Sequence, residues 1–197
     1  MFKIITAPAS EPVSLADIVN YTHLESTIDV SEIAFRNGLI TAAREYCEGY
    51  QRRAYITQTL EMSLDKFPSG VISIPRGKLQ SVVSIKYKDI AGVERTLIES
   101  VDYVYSSYGI GRIVPVNAWP SDSLYLLDAV KIRFTCGYGT AADVPFKVKQ
   151  AMYMLIGYWY DNRSAVITGS VSKEAEFSVK ALLGFDRIGV PDASGRT

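Results

Sequence analysis

The stretch VKIRFTCGYGTAADVPFKVKQAMYMLIGYWY, residues 130–160, changes its period once. At first Val130, Ile132 and Phe134 alternate with Lys131, Arg133 and Thr135. That period of two puts one strand face in a core and the other toward water. After Gly137, Tyr138 and Gly139 the period lengthens. Pro145 stands where a first helical turn has no use for an amide hydrogen. From Val144 to Tyr160, Val148, Met152, Leu155 and Trp159 form one stripe and Tyr153, Ile156 and Tyr160 another. A helix apolar almost all round is buried on several sides or shared between a core and an interface. A strand passing through glycines into such a helix points to an α+β chain with separate sheet and helical blocks.

Upstream of this stretch the chain reads as strand after strand. Ile56, Gln58, Leu60, Met62 and Leu64 alternate with polar residues. Val71–Ile74 is a short strand between two proline turns. Ser81–Lys88, with Val83, Ile85 and Tyr87 on one face, forms a hairpin with Val93–Ile98 through Asp89-Ile90-Ala91-Gly92. Val101–Tyr105 and Arg112–Val114 flank Gly109-Ile110-Gly111, and residues 115–128 form a loop carrying Trp119-Pro120. Two helices precede the strands. Ser14 and Asp17 make a capping box for a short helix ending near Asn20. Asp29 to Glu32 starts a longer helix, with Phe35, Leu39, Ala42, Tyr46 and Tyr50 on one face. Downstream, Ser172–Leu183 is a last amphipathic helix. The expected organisation is an N-terminal helical part (1–55), an inserted antiparallel β domain (56–139), a C-terminal helical part packing on the first helices (140–186) and a flexible tail (187–197).

Composition narrows the function classes. Of 197 residues 48% are apolar, enough for one good core or two small ones and too many for a disordered chain. Lys and Arg number 21 and so do Asp and Glu, so the chain lacks the basic excess of a protein built to grip DNA. Cys47 and Cys136 lie far apart in apolar surroundings and read as reduced, buried thiols. The first residues lack the layout of a secretory signal. Ala151–Tyr160, the longest apolar stretch, is too short to span a bilayer, and no membrane partner is expected.

The chemical inventory is thin. His23 has no second ligand at metal spacing and no nucleophile beside it, so it reads as a surface or capping residue. Gly109-Ile110-Gly111 lacks the third glycine of a dinucleotide fingerprint, and Gly77-Lys78-Leu79 lacks the rest of a phosphate loop. No catalytic residues, cofactor or metal site are expected. The aromatic residues give a different hint. With 13 tyrosines and 2 tryptophans, the loop residues Tyr108 and Trp119 are candidates for subunit or neighbour contacts.

Several stretches, in order, resemble the head–tail connector (adaptor) family of long-tailed bacteriophages, prophages and gene transfer agents. They are LITAAREYCE (39–48), RAYITQT (53–59), Ile72–Pro75 with Leu79–Ile85, GRIVP (111–115), VKIRFTCGYG (130–139), Val144-Pro145 with Lys149-Gln150-Ala151, WYDNR (159–163) and Ala181-Leu182-Leu183. The resemblance runs from about Val13 to Arg187. Gly77, where the family usually has proline, and Lys173-Glu174-Ala175 depart from it. It implies a non-enzymatic virion protein at the head–tail junction, assembled in the host cytoplasm. Such proteins form a dodecameric ring beneath the portal protein, through which double-stranded DNA passes without specific binding. The ring offers a platform to a stopper or tail terminator protein. The last helix and tail, with Phe177, Leu182, Leu183, Phe185 and Ile188, are expected to dock on the portal. The alternatives are another neck component, such as a stopper or terminator, and a small-molecule-binding or hydrolytic domain.

Overall fold

A computed structural model of the chain describes residues 2–22, 29–163 and 173–189. The elements are β1 (Phe2–Thr6), α1 (Leu15–Thr22), α2 (Val30–Gln51), β2 (Gln58–Leu64), β3 (Ile72–Ile74), β4 (Leu79–Lys88), β5 (Glu94–Leu97), β6 (Tyr103–Ser106), β7 (Gly111–Pro115), β8 (Val130–Cys136), α3 (Phe146–Asp161) and α4 (Lys173–Gly184). A single 3-10 turn, Ala141–Asp143, precedes α3. The fold class is α+β, with antiparallel sheets. Contacts divide the chain into a β unit, Met1–Ala9 with Thr57–Gly137 and the residues from Ile188, and a helical unit, Ser10–Ile56 with Tyr138–Arg187.

The β unit differs from expectation at its start. Residues 2–6, expected in the helical part, form β1 and pair with β2, Phe2 opposite Met62 and Ile4 opposite Leu60. The strand is five residues long and its partner lies far along the chain, so no local pattern announces it. The large sheet runs β1-β2-β8-β4-β5 and the small one β3-β7-β6. In β2 and β8 the alternation holds: Leu60, Met62, Val130, Ile132 and Phe134 are buried. In β4 it does not. Register shifts fall between Leu79 and Ser81 and between Val82 and Ser84. Each inserts a residue and turns the following side chains over. Hence Val82 is buried and Val83, expected on the inner face, is 55% exposed. Gly111 on β7 lies against Leu79 on β4 so closely that a Cβ would stand 2.7 Å from Leu79 Cδ2. Only glycine allows that approach without displacing a buried leucine.

The helical unit is built on caps and one apolar cluster. Ser14 Oγ accepts from the Asp17 amide and Asp17 accepts from the Ser14 amide at 2.8 Å, the expected box at the start of α1. Asp29 accepts from the Glu32 amide at 2.8 Å and starts α2. Leu39, Ile40, Ala43 and Cys47 of α2 join Val148, Ala151, Met152, Leu155 and Ile156 of α3 and Val179 and Leu183 of α4 in this core. The buried stripe of α2 is rotated from the expected one. Ala42 is exposed and Tyr46 half-buried, while Arg36, Arg44, Glu48 and Gln51 are buried.

Candidate interaction surfaces

The residues that carry chemistry are committed to structure. Cys47 and Cys136 are buried free thiols. Desolvation, with Glu48 nearby, pushes the Cys47 thiol up to about 12, so it is inert at neutral pH. Among the described residues no group of three or more His, Cys, Asp and Glu could hold a metal ion, and no helix is long and apolar enough to cross a membrane. His23 lies outside the described residues.

Arg44, Glu48 and Gln51, buried on α2, belong to one connected network. Glu11 accepts from Arg44 Nε at 2.8 Å and from Thr41 Oγ1 at 3.0 Å. Arg44 Nη1 donates to Glu48 at 3.2 Å, and the other Glu48 oxygen accepts from the Tyr55 amide at 2.7 Å. The Tyr55 hydroxyl donates to Gln51 Oε1, and Gln51 Nε2 donates to the Leu183 carbonyl, both at 2.7 Å. Burial is the largest influence on Arg44 and opposes its charge, but the Glu11 hydrogen bond together with the charges of Glu11, Glu48 and Glu45 outweighs it and holds the pKa above the ordinary value. Pattern reading assigns such residues to solvent, and no signal in the sequence separates this stripe from an exposed one. The network ties α2 to the end of α4.

That tie decides which docking candidates are free. Leu183 and Ile188, expected to contact a partner, are 0% and 3% exposed; they are already spent inside the chain. The first tail residues are also held. Arg187 donates to the Tyr50 carbonyl at 3.1 Å and lies over the Tyr50 ring, and Lys147 pairs with Asp186. A flexible tail therefore does not begin at 187, because these contacts and the burial of Ile188 hold the chain there. Phe177 and Phe185, by contrast, are 75% and 89% exposed, and Leu182 is half-buried. Phe177, Ala181 and Phe185 follow at intervals of four, and all are exposed.

In the β unit Tyr108 is 88% exposed at the β6–β7 turn. Trp119 is not free in the same way. Its ring stacks on Phe67, 5.1 Å between centroids, and its Nε1 donates to the Gly70 carbonyl at 2.6 Å. The most exposed apolar side chains of its loop are Leu126 and Leu127, at 84% and 68%, which carry no signal of their own in the sequence.

The large sheet has one open face. Its outward side chains line a shallow cleft: Lys3 and Ile5 from β1, Glu61 from β2, Arg133 and Lys131 from β8, Ser84 and Lys86 from β4, and Glu94 from β5. Glu61 pairs with Arg133 and Glu94 with Lys86, each at 2.7 Å. The Lys86 hydrogen bond, then Lys86, Lys88 and Lys131 as charges, lower the Glu94 carboxyl.

The fold has close counterparts. A chain from the neck of an empty gene transfer agent (GTA) particle computed with C6 symmetry superposes with a TM-score of 0.81 at 20% identity, covering 100% of both chains. The fold is shared from end to end. A chain from the virion of a native GTA particle gives 0.78 at 21% identity over 96% of each chain. One from the neck of a native GTA particle computed with C12 symmetry gives 0.77 at 20% identity over 100% of both. No family model and no curated protein sequence matches the chain.

Proposed function

We propose that the chain is a structural neck protein of a tailed or tail-like particle, acting as the head–tail adaptor. The observation that carries this is the full-length likeness to GTA neck chains, TM-score 0.81 with both chains covered completely. The thin chemical inventory supports a structural rather than catalytic role. Neck structures computed with C6 and C12 symmetry support a ring, which we take to be dodecameric, in the virion. A cyclic ring needs two different patches on each subunit. Phe177 and Phe185 supply exposed apolar anchors, and in this reading they dock on the portal while Tyr108 reaches a neighbouring subunit or neck protein. The opposite face of the ring receives the stopper or terminator.

Electron microscopy of particles assembled without this chain tests the reading. Filled or leaking heads beside separate, complete tails are expected. Normally joined particles would overturn it. Portal docking is tested separately by the double substitution Phe177→Ser with Phe185→Ser. Both rings are exposed, so the melting temperature should stay within about 2 °C, the shift of a surface change of roughly 0.5 kcal/mol. Co-sedimentation with the portal should be lost; retained co-sedimentation would remove these two residues from the docking surface.

A further inference from the structure

We propose that the open face of the five-stranded sheet is a DNA-facing surface that meets the phosphate backbone weakly and without reading sequence. The chain is neutral overall, yet this face is not. Lys3, Lys86, Lys88, Lys131 and Arg133 stand on it against Asp128, beside Lys3 and Lys131, and the pair Glu61 and Glu94. Two of the cations are taken by the two glutamates. Among the described residues Lys3, Lys88 and Lys131 hold no ion pair, and they are exposed or half-exposed. The registry sets the cations across neighbouring strands. Lys131 lies opposite Lys86, Lys88 opposite Glu94, and Lys3 opposite Glu61. Adjacent strands are about 4.8 Å apart, so the charges form a lattice on a broad surface. A surface of this shape has no element to enter a groove and reach base edges; it meets phosphates alone.

The two glutamates are as informative as the lysines. Fixed carboxylates among the cations repel phosphate and keep the contact weak. A duplex would be held off the wall and would still slide. An acidic protein surface is the competing occupant. Ile5 lines the same cleft, but the cations far outnumber it, and this favours a polyanion of uniform charge, which a duplex is.

The inference rests on the neck reading only for the source of the DNA. Its test needs no particle, so the two succeed or fail separately. The full chain is titrated against a fluorescent 20-base-pair duplex of mixed sequence at 25 and 150 mM salt. Three unpaired cations predict a slope of log K against log salt of about −3, an affinity about a hundredfold lower at the higher salt. The pair Lys3→Glu with Lys131→Glu should abolish binding at 25 mM. The pair Lys66→Glu with Arg112→Glu, at exposed positions elsewhere in the same unit, should leave it intact. Glu61→Gln with Glu94→Gln frees Arg133 and Lys86 and should tighten binding severalfold with a steeper slope. Equal binding by the parent and the Lys3/Lys131 variant, or no binding by the parent at 25 mM, overturns the proposal. So does competition by polyglutamate as effective as that by duplex at equal charge, which would assign the face to an acidic protein.

Discussion

Glu48 is a carboxylate buried between an arginine and a backbone amide, and its two oxygens divide the work. One neutralises Arg44; the other satisfies the Tyr55 amide just beyond the end of α2. Taking such a group out of water is costly, and the cost is offset only while each partner stays in place. Glu48→Ala removes the acceptor and leaves both donors buried. It should lower unfolding stability by about 3 kcal/mol, the range for breaking a buried pair. The urea midpoint measures this, and Glu48→Gln, which keeps an acceptor for the amide, should lose less. An unchanged midpoint for Glu48→Ala would show that the network adds nothing to stability. The same residues mark where reading the sequence fails. Phe35, Ala42, Tyr46 and Tyr50 looked like the buried face because they are apolar. The buried stripe instead carries Arg36, Arg44, Glu48 and Gln51, whose partners include Glu11, Tyr55 and the Leu183 carbonyl. Burial of a charge depends on partners brought by the fold, and hydropathy along one helix contains no record of them.

At the scale of elements, helix starts were legible because their chemistry is local. Ser14 with Asp17 and the Asp29 cap lie within a few residues of what they satisfy. The strands of the β unit were legible by alternation, and β8 most of all. β1 and the bulges of β4 were not, since each is defined by registry with a distant strand. The Phe177 and Phe185 candidates kept their exposure, while Leu183 and Ile188 turned inward. An apolar residue near a chain end reads alike in either role.

The caps also set an acid response. The Ser14 amide and hydroxyl lower the Asp17 carboxyl from its ordinary 3.8. The Ser31 hydroxyl and the Glu32 amide lower Asp29, and the Thr140 hydroxyl and amide lower Asp143. A carboxyl whose pKa is depressed by folding stabilises fully above its unfolded value and loses that contribution as pH falls through the folded one. Helical circular dichroism should therefore hold from pH 7 to about 5 and decline below about 4. Asp17→Asn with Asp29→Asn should flatten the decline. A variant that follows the parent curve throughout would place the acid sensitivity elsewhere.

At the scale of the whole molecule, neither unit is one continuous piece of chain. The β unit draws on Met1–Ala9 as well as Thr57–Gly137. Excising residues 57–137 alone leaves β2 without β1, exposes its edge and removes the edge-to-face contact of Phe2 on Phe134. That fragment should melt lower than one in which residues 1–9 are joined ahead of it by a flexible linker. An unpaired edge is also a template for aggregation, so light scattering should separate the two as well. Equal melting and scattering would make β1 an ornament of the sheet rather than part of it.

The placement of β1 has a consequence during synthesis. β1 belongs to a sheet whose next strand, β2, is translated only after α1 and α2. Those helices wait in turn, because their core is completed only by α3 and α4, made last. Each unit is left open until the other's residues have been threaded out, and long-range closures of this kind are slow. A chain cut before β8 thus has neither unit finished, and one cut before α3 still lacks its helical core. Translation itself acts as a quality gate: only a protein read through α4 offers both units complete.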